Sequence, residues 1–279
     1  MGVPASVFAS LYKNGATVPS RRSAEIAECF EISPGIVRIA IRDEYIAKNA
    51  KPAQFANFYT RNSQRLMPRP FGIADIEDDK VGFIFAVVGK GTEEFKHYRA
   101  GEKIDVLGPF GKPFDTSKSC DYLLVGGGLG VPPLIRAAQS LSEREDARAV
   151  SVFGYRDEQF AQSYVSKYVA NGDSYAISDR DGNVVDLLET VYASRFGKLD
   201  GASDKAAAVI LSCGPAPMMK AVAKWAAEHG NIETQLSLEA RMGCGFGACY
   251  GCVAETASGL KKVCSDGPVF TSEELGWQQ

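Results

Sequence analysis

Four cysteines fall within 21 residues near the C-terminal end of the chain: Cys244, Cys249, Cys252 and Cys264, in the string RMGCGFGACYGCVAETASGLKKVCSDG. Their spacing is C-x4-C-x2-C-x11-C, so three thiols share one loop and the fourth returns after an excursion, VAETASGLKKV, with Ser258-Gly259 as the expected turn. Gly243, Gly245, Gly247 and Gly251 are interleaved with them. Glycines remove side chains that would block close approach of the backbone and allow positive φ, so N–H groups can point inward at whatever the thiols bind. The spacing matches the ligand pattern of plant-type [2Fe-2S] clusters. Two other readings compete. Structural zinc more often uses two separated C-x2-4-C knuckles, whereas only one such pair exists here. A redox-active C-x-x-C pair would leave Cys244 and Cys264 unused.

The other three cysteines, Cys29, Cys120 and Cys213, are scattered, which makes seven in all. An odd count, without a basic start and an apolar run at the N-terminus, argues for reduced thiols and a cytoplasmic location rather than a disulfide framework. Lys and Arg number 31 against 34 Asp and Glu, a net charge of −3, which gives no basic surface for nucleic acid. No run approaches the roughly 20 apolar residues that span a bilayer, so no membrane segment is expected. A length of 279 residues suggests about two domains and an appendage.

Two rhythms organise the chain upstream of the cysteines. From about 26 to 115 the apolar runs are short: IAECFEIS, GIVRIAIRD, QFANFYT, VGFIFAVVG and EKIDVLG, punctuated by Pro34-Gly35, Asp78-Asp79 and Gly101. This pattern predicts a small antiparallel β-barrel. From about 120, strands alternate with helical stretches. DYLLVGGG is followed by PLIRAAQSLSERE, AVSVFGY by DEQFAQSYVSKYV and then VVDLLETVY, and AAAVILSCGP by PAPMMKAVAKWAAEHG. That alternation predicts a parallel sheet covered by helices on both faces. The expected division is a loose arm at 1–22, a barrel at 23–117, a nucleotide-binding α/β domain at 118–232 and a cluster-binding segment at 233–279. The glycine run Gly126, Gly127, Gly128 and Gly130 ends a strand and opens a helix, where N–H groups and the helix dipole suit a phosphate. Val131 stands where a full G-x-G-x-x-G has its last glycine, so a tight strand–helix turn is an equal alternative.

The ordered strings MPRPFGIAD, VVGKGTEEF, DVLGPFGKPF, LLVGGGLGVPP, SCGPAPMMKA, SLEARMGCGFGACYGC and VCSDGPVF resemble the electron-transfer subunits of NAD-dependent, two-subunit dihydroorotate dehydrogenases, within the ferredoxin reductase-like superfamily. The resemblance covers about 26–270. It implies FAD in the barrel, NAD(H) on the α/β domain and a [2Fe-2S] cluster on Cys244, Cys249, Cys252 and Cys264. The flavin string of the family is similar to Arg69-Pro70-Phe71-Gly72, with Gly72 where serine is usual. Ile84, Phe85 and Ala86 align with the family's flavin strand, although a Tyr-Arg pair is more usual there, and Gly91-Thr92 align with its G-T step. Arg69 would face the diphosphate of FAD, as suits a planar cation with several donors; otherwise it is a surface ion-pair residue. Phe71 and Phe85 could equally be barrel core.

Cys213, Gly214 and Pro215 resemble the turn where nicotinamide meets flavin. There Cys213 is a spacer rather than a nucleophile, or an inert core thiol. His97 and His229 lack ligand partners at metal-binding spacing. The resemblance also implies a separate FMN-containing catalytic subunit, a heterotetramer of two plus two chains, and a place in pyrimidine (UMP) synthesis. The alternatives are a reductase subunit serving a dihydropyrimidine, sulfur or hydrogenase-type partner, and an interaction protein held together by zinc or a cluster.

Overall fold

The computed structural model describes residues 20–156, 158–196 and 208–278. The expected arm lies almost wholly outside them. Strands β1 (Arg22–Ser33), β2 (Ile36–Arg42), β3 (Phe55–Tyr59), β4 (Arg69–Glu77), β5 (Lys80–Ala86) and β6 (Lys103–Phe110) close an antiparallel barrel in the order β1-β2-β5-β4-β3-β6. Alternate residues point inward and pack Ile26, Ile39, Phe58, Ile73, Phe83 and Val106 with little or no exposure. The hairpins turn where the sequence places them, with Gly35 at φ +73° and Asp78 at φ +56°. The sixth strand, β4, was absent from the apolar runs because Pro70 and Gly72 break its pattern. Pro70 sits near the start of the strand, a position where proline is tolerated.

The second layer is a six-stranded sheet in the order β14-β11-β10-β7-β8-β9, with β14 (Val269–Thr271) at one edge. Strands β7 (Asp121–Gly127), β8 (Arg148–Tyr155), β9 (Ser174–Ser178), β10 (Ala208–Cys213) and β11 (Ile232–Ser237) run parallel. Apolar side chains fill both faces, Leu124, Leu134 and Phe153 on one, Leu123, Leu188 and Trp225 on the other. Helices α3 (Val131–Ser142), α5 (Val184–Phe196) and α6 (Ala216–His229) carry the crossovers, following α1 (Glu44–Asn49) and α2 (Lys90–Lys96) of the barrel region. Of the stretch DEQFAQSYVSKYV, the described residues 158–169 form only a four-residue helix, α4 (Gln162–Val165), instead of a long one. Beyond it the chain folds through successive turns, with the N–H of Tyr168 on the carbonyl of Val165 and that of Asp173 on Ala170, to reach β9.

After the cysteines, β14 (Val269–Thr271) returns to pair antiparallel with β11, and α7 (Ser272–Leu275) follows. Between Cys252 and Cys264, β12 (Val253–Thr256) and β13 (Gly259–Lys262) form the expected excursion. Its turn is Ala257-Ser258, one residue earlier than expected, because Gly259, at φ +102°, already pairs with Thr256.

Barrel and sheet are locked face to face. Ala53, Ala74 and Ile84 of the barrel pack with Val131, Leu134 and Ala138 in one core. Gln139 on α3 bonds both backbone groups of Ile76, accepting its N–H at 3.0 Å and donating to its carbonyl. Beside this contact, Arg38 holds Asp75 through two bonds of 2.6 and 2.9 Å, with its guanidinium over Tyr164 of α4. Losing one partner of such a buried pair costs about 3–5 kcal/mol. These contacts fix the position of the clefts between the layers.

Candidate functional site: two clefts and a cysteine loop

The first cleft, about 340 Å³, opens between the barrel and the carboxyl ends of the sheet. Arg69, Pro70, Phe71, Gly72, Ile84, Phe85, Ala86 and Thr92, eight of the nine residues expected at the flavin, line it. Phe71 and Phe85 stack at 4.6 Å and rest edge-on against Phe95, so they serve the cleft wall and the barrel core together. Gly91 lies behind the wall: a Cβ there would stand 2.2 Å from Nε of Arg69. The glycine is what lets the guanidinium lie flat across α2. Among the described residues no carboxylate lies within ion-pair distance of Arg69, whose Nη1 donates to the carbonyl of Met67.

The Thr92 hydroxyl is already engaged. It accepts the N–H groups of Val88 and Gly89 and donates to the Gly89 carbonyl, capping α2. At Gly72 a Cβ would come within 2.7 Å of Cγ of Pro133 on α3. The missing side chain is therefore what admits the second layer at this point.

The larger cleft, about 870 Å³, runs along the carboxyl ends of β7, β8, β9 and β10 and is lined by Gly127, Gly128, Gly130, Gly214 and Pro215. Gly126 is not in its wall. A Cβ there would meet Leu134, Val131 and Phe153 at 2.8–3.1 Å, so this glycine serves strand–helix packing. Gly130 packs as tightly, since its Cβ would fall 2.2 Å from the carbonyl oxygen of Cys213. The far rim carries Asp179, which follows β9, and Asn183.

Leu129 and Glu239 line both clefts and mark their junction. Cys213, expected with the nucleotide residues, is buried and lines the first cleft rather than the larger one; burial, then the Glu239 carboxylate, pushes its thiol well up, so it stays neutral. Protein packed around Glu239 pushes its carboxyl up as well. Sequence reasoning missed Glu239 and Asp179. Glu239 could have been found in the SLEARMGC string itself, and Asp179 as the acidic residue directly after a strand in a nucleotide-binding sheet.

The four clustered cysteines come together as two pairs. The N–H of Cys244 points at Sγ of Cys249 at 3.3 Å and that of Cys249 back at Sγ of Cys244 at 3.4 Å. The N–H of Cys264 points at Sγ of Cys252, also at 3.4 Å. Further N–H groups from Ala248 and Gly247 address Cys244 and Cys264 at 3.2 and 3.1 Å. Two thiolates for each of two irons, with amides aimed at sulfur, is the donor set of a [2Fe-2S] cluster. A single structural zinc would instead take all four sulfurs around one point. N–H groups of Gly251 and Cys244 draw the Cys249 thiol down to about 7, while burial, then Cys252, pushes Cys264 up to about 12. Phe55 and Met242 line the flavin-side cleft and also pack with Cys252 and Cys264.

His97 pairs with Glu93, and His229 lies between Glu189 and the Trp225 carbonyl; neither accompanies the cysteines. Among the described residues no helix is long and apolar enough to cross a membrane.

Barrel, parallel sheet and cysteine loop together define a ferredoxin reductase-like protein with an iron–sulfur segment. The structure of an NADH-dependent reduced ferredoxin-NADP oxidoreductase superposes with a TM-score of 0.75 over 95% of this chain and 91% of that one, at 25% identity. Phthalate dioxygenase reductase shares the fold at a TM-score of 0.59 and 16% identity. Residues 239–276 match the iron–sulfur cluster binding domain of dihydroorotate dehydrogenase B. The electron transfer subunit of dihydroorotate dehydrogenase B (NAD(+)) from Bacillus velezensis is 35% identical over 88% of this chain and 94% of its own length. That of Streptococcus mutans is 33% identical over 95% and 98%. The chain belongs to the family of dihydroorotate dehydrogenase B electron transfer subunits.

Proposed function

We propose that the chain passes electrons between NAD(H) and an FMN-containing dihydroorotate dehydrogenase catalytic subunit, through FAD and a [2Fe-2S] cluster, in pyrimidine synthesis. The observation that carries this reading is contiguity. The nucleotide cleft meets the flavin cleft at Leu129 and Glu239, and the flavin cleft meets the cysteine pairs at Phe55 and Met242. FAD, when bound, supplies two-electron exchange with the nucleotide and one-electron exchange with the cluster.

The chain's own residues position and insulate. Arg69, unpaired with any described carboxylate and held flat by Gly91, binds the FAD diphosphate. The stacked Phe71 and Phe85 shape the wall. Gly127, Gly128 and Gly214 let the nucleotide approach the backbone, and neutral Cys213, in the wall of the flavin cleft, has no nucleophilic character. Asp179 receives the adenosine ribose hydroxyls and disfavours a 2′-phosphate, which selects NADH over NADPH. The protein works in the cytoplasm, in a complex of two catalytic and two electron-transfer chains.

The test uses the purified chain carrying its cofactors. NADH should bleach the flavin absorbance and give a rhombic EPR signal. Tagged protein should co-purify with a chain that carries FMN and oxidises dihydroorotate. A colourless chain holding one zinc would sink the proposal.

A further inference from the structure

A polar side chain, Asn57, in the middle of β3 and wholly buried, ties the cysteine loop to the barrel. Alternation along β3 sends Ala56 and Phe58 into the barrel core and Phe55 and Asn57 outward, toward the cluster segment. Nδ2 of Asn57 donates to the backbone carbonyl of Cys244 at 2.8 Å. On its backbone side Asn57 is in register with Pro70 of β4 and Leu107 of β6. One residue therefore joins the strand of the flavin string to the first cysteine of the cluster loop.

Chemistry fixes the orientation of this amide. A carbonyl can only accept, so the NH₂ must face Cys244. Oδ1 is then left buried with no hydrogen-bond partner, an arrangement that proteins rarely tolerate. Gly245 makes the contact sterically feasible. It has φ +79°, and a Cβ there would stand 2.4 Å from Nδ2 and 2.9 Å from Oδ1 of Asn57. A side chain at 245 and the amide of Asn57 exclude each other.

We propose that Asn57 is a positioning residue for the cluster, a latch that keeps the Cys244–Gly245 peptide with its carbonyl turned into the barrel. The inference rests on reading the four cysteines as [2Fe-2S] ligands. In a planar trans peptide the Gly245 N–H points opposite to the latched carbonyl, away from Asn57. Glycine allows that peptide to rotate at little steric cost, so without the latch the carbonyl can turn toward the sulfurs. N–H groups near the sulfurs favour an added electron and a carbonyl oxygen disfavours it, so the latch raises the cluster's affinity for an electron.

The experiment compares the full chain, loaded with FAD and cluster, with Asn57→Leu and Asn57→Ala. FAD and iron per chain, the EPR spectrum of the reduced protein and the cluster midpoint potential are measured anaerobically. The expected result is unchanged FAD, shifted g values and an equilibrium moved about tenfold toward the oxidised cluster, about 59 mV for one electron. Loss of the cluster with FAD retained also supports the latch. An unchanged spectrum and potential overturn it, as does joint loss of FAD and cluster in both variants, which would make Asn57 a support of the barrel alone. Gly245→Ala should reproduce the shift and add little to it in the Asn57→Ala background; full additivity counts against the latch. An unmodified chain without any iron–sulfur signal would instead overturn the reading of the cysteines.

Discussion

The flavin cleft and the cysteine loop lie side by side but are held by different forces. In the barrel the cleft wall is the outer layer of an apolar core, with Phe71 and Phe85 packed on Phe95 and Phe58 and closed strands on either side. From 238 to 252 the chain has no helix or strand, and the small core beneath it, Phe55, Phe110, Val263, Cys252 and Cys264, includes two of the thiols themselves. The barrel buries enough apolar surface to hold its shape before any ligand arrives. The loop is expected to draw much of its order from what its sulfurs bind, as small metal-bound segments generally do.

The sharpest way to break this contrast is to remove one thiol. Cys249→Ser should abolish the reduced-cluster EPR signal almost entirely while FAD content stays within about 10% of the unmodified chain, since Cys249 does not line the flavin cleft. Iron chelation should act likewise, raising amide hydrogen exchange at Gly247, Ala248 and Cys249 about a hundredfold or more while β2 and β5 stay protected. Simultaneous loss of flavin and cluster would show that the two sites fold as one unit.

A smaller effect belongs to the barrel side. Arg69→Ala removes a charged donor from a preformed cleft and should weaken FAD binding about 10- to 100-fold, about 1.5–3 kcal/mol, with the fold intact. Equilibrium dialysis or flavin fluorescence on the refilled apoprotein would measure it. Gly91→Ala should weaken binding in the same direction, because its Cβ would displace the guanidinium. Full FAD affinity in both variants would mean that the diphosphate is held elsewhere.

The same contrast explains what could be read from the sequence. Three of the four clustered cysteines are neighbours in the chain, so their spacing alone pointed to the site. Each cleft is assembled from segments more than 100 residues apart, and only the resemblance of separate strings brought Arg69 and Cys213 into one picture. Gly72 reads along the chain only as a departure from the serine usual in the family. Its reason, the ring of Pro133, lies in the other layer and was invisible along the chain. Pro70 and Gly72 hid β4 for a local reason, because they interrupt the alternation that reveals a strand. Asn57 had left a visible trace: in FANFY it is the one polar residue of a short apolar strand.

Selectivity for the nucleotide extends the comparison to the second layer, where the cleft is again preformed. Asp179→Ser removes the carboxylate on the rim, and the ratio of kcat/KM for NADH over NADPH should fall about tenfold, about 1.4 kcal/mol, mostly through a better KM for NADPH. Stopped-flow bleaching of the flavin by each nucleotide would give both constants. An unchanged ratio would assign discrimination to another part of the rim.

The smallest effect tests whether the junction at Glu239 is also a preformed, partly dry site. Surrounding protein pushes this carboxyl up. The folded chain then binds more protons than the unfolded chain between the ordinary glutamate range and the raised value. The sign follows from linkage: stability from this residue is fullest at or below the ordinary glutamate range and falls as pH rises through the raised folded value. Above that value the ionised carboxylate costs stability at a site where Gln would not. Because the side chain opens onto the cleft, water screens most of the effect, and less than about 1 kcal/mol is expected. Glu239→Gln should therefore match the unmodified chain in urea unfolding at pH 4.5 and exceed it slightly at pH 8, measured with the nucleotide cleft empty. Equal stability at both values would mean that the carboxyl is as well hydrated as one on the surface, and that the junction is wet until the nucleotide enters.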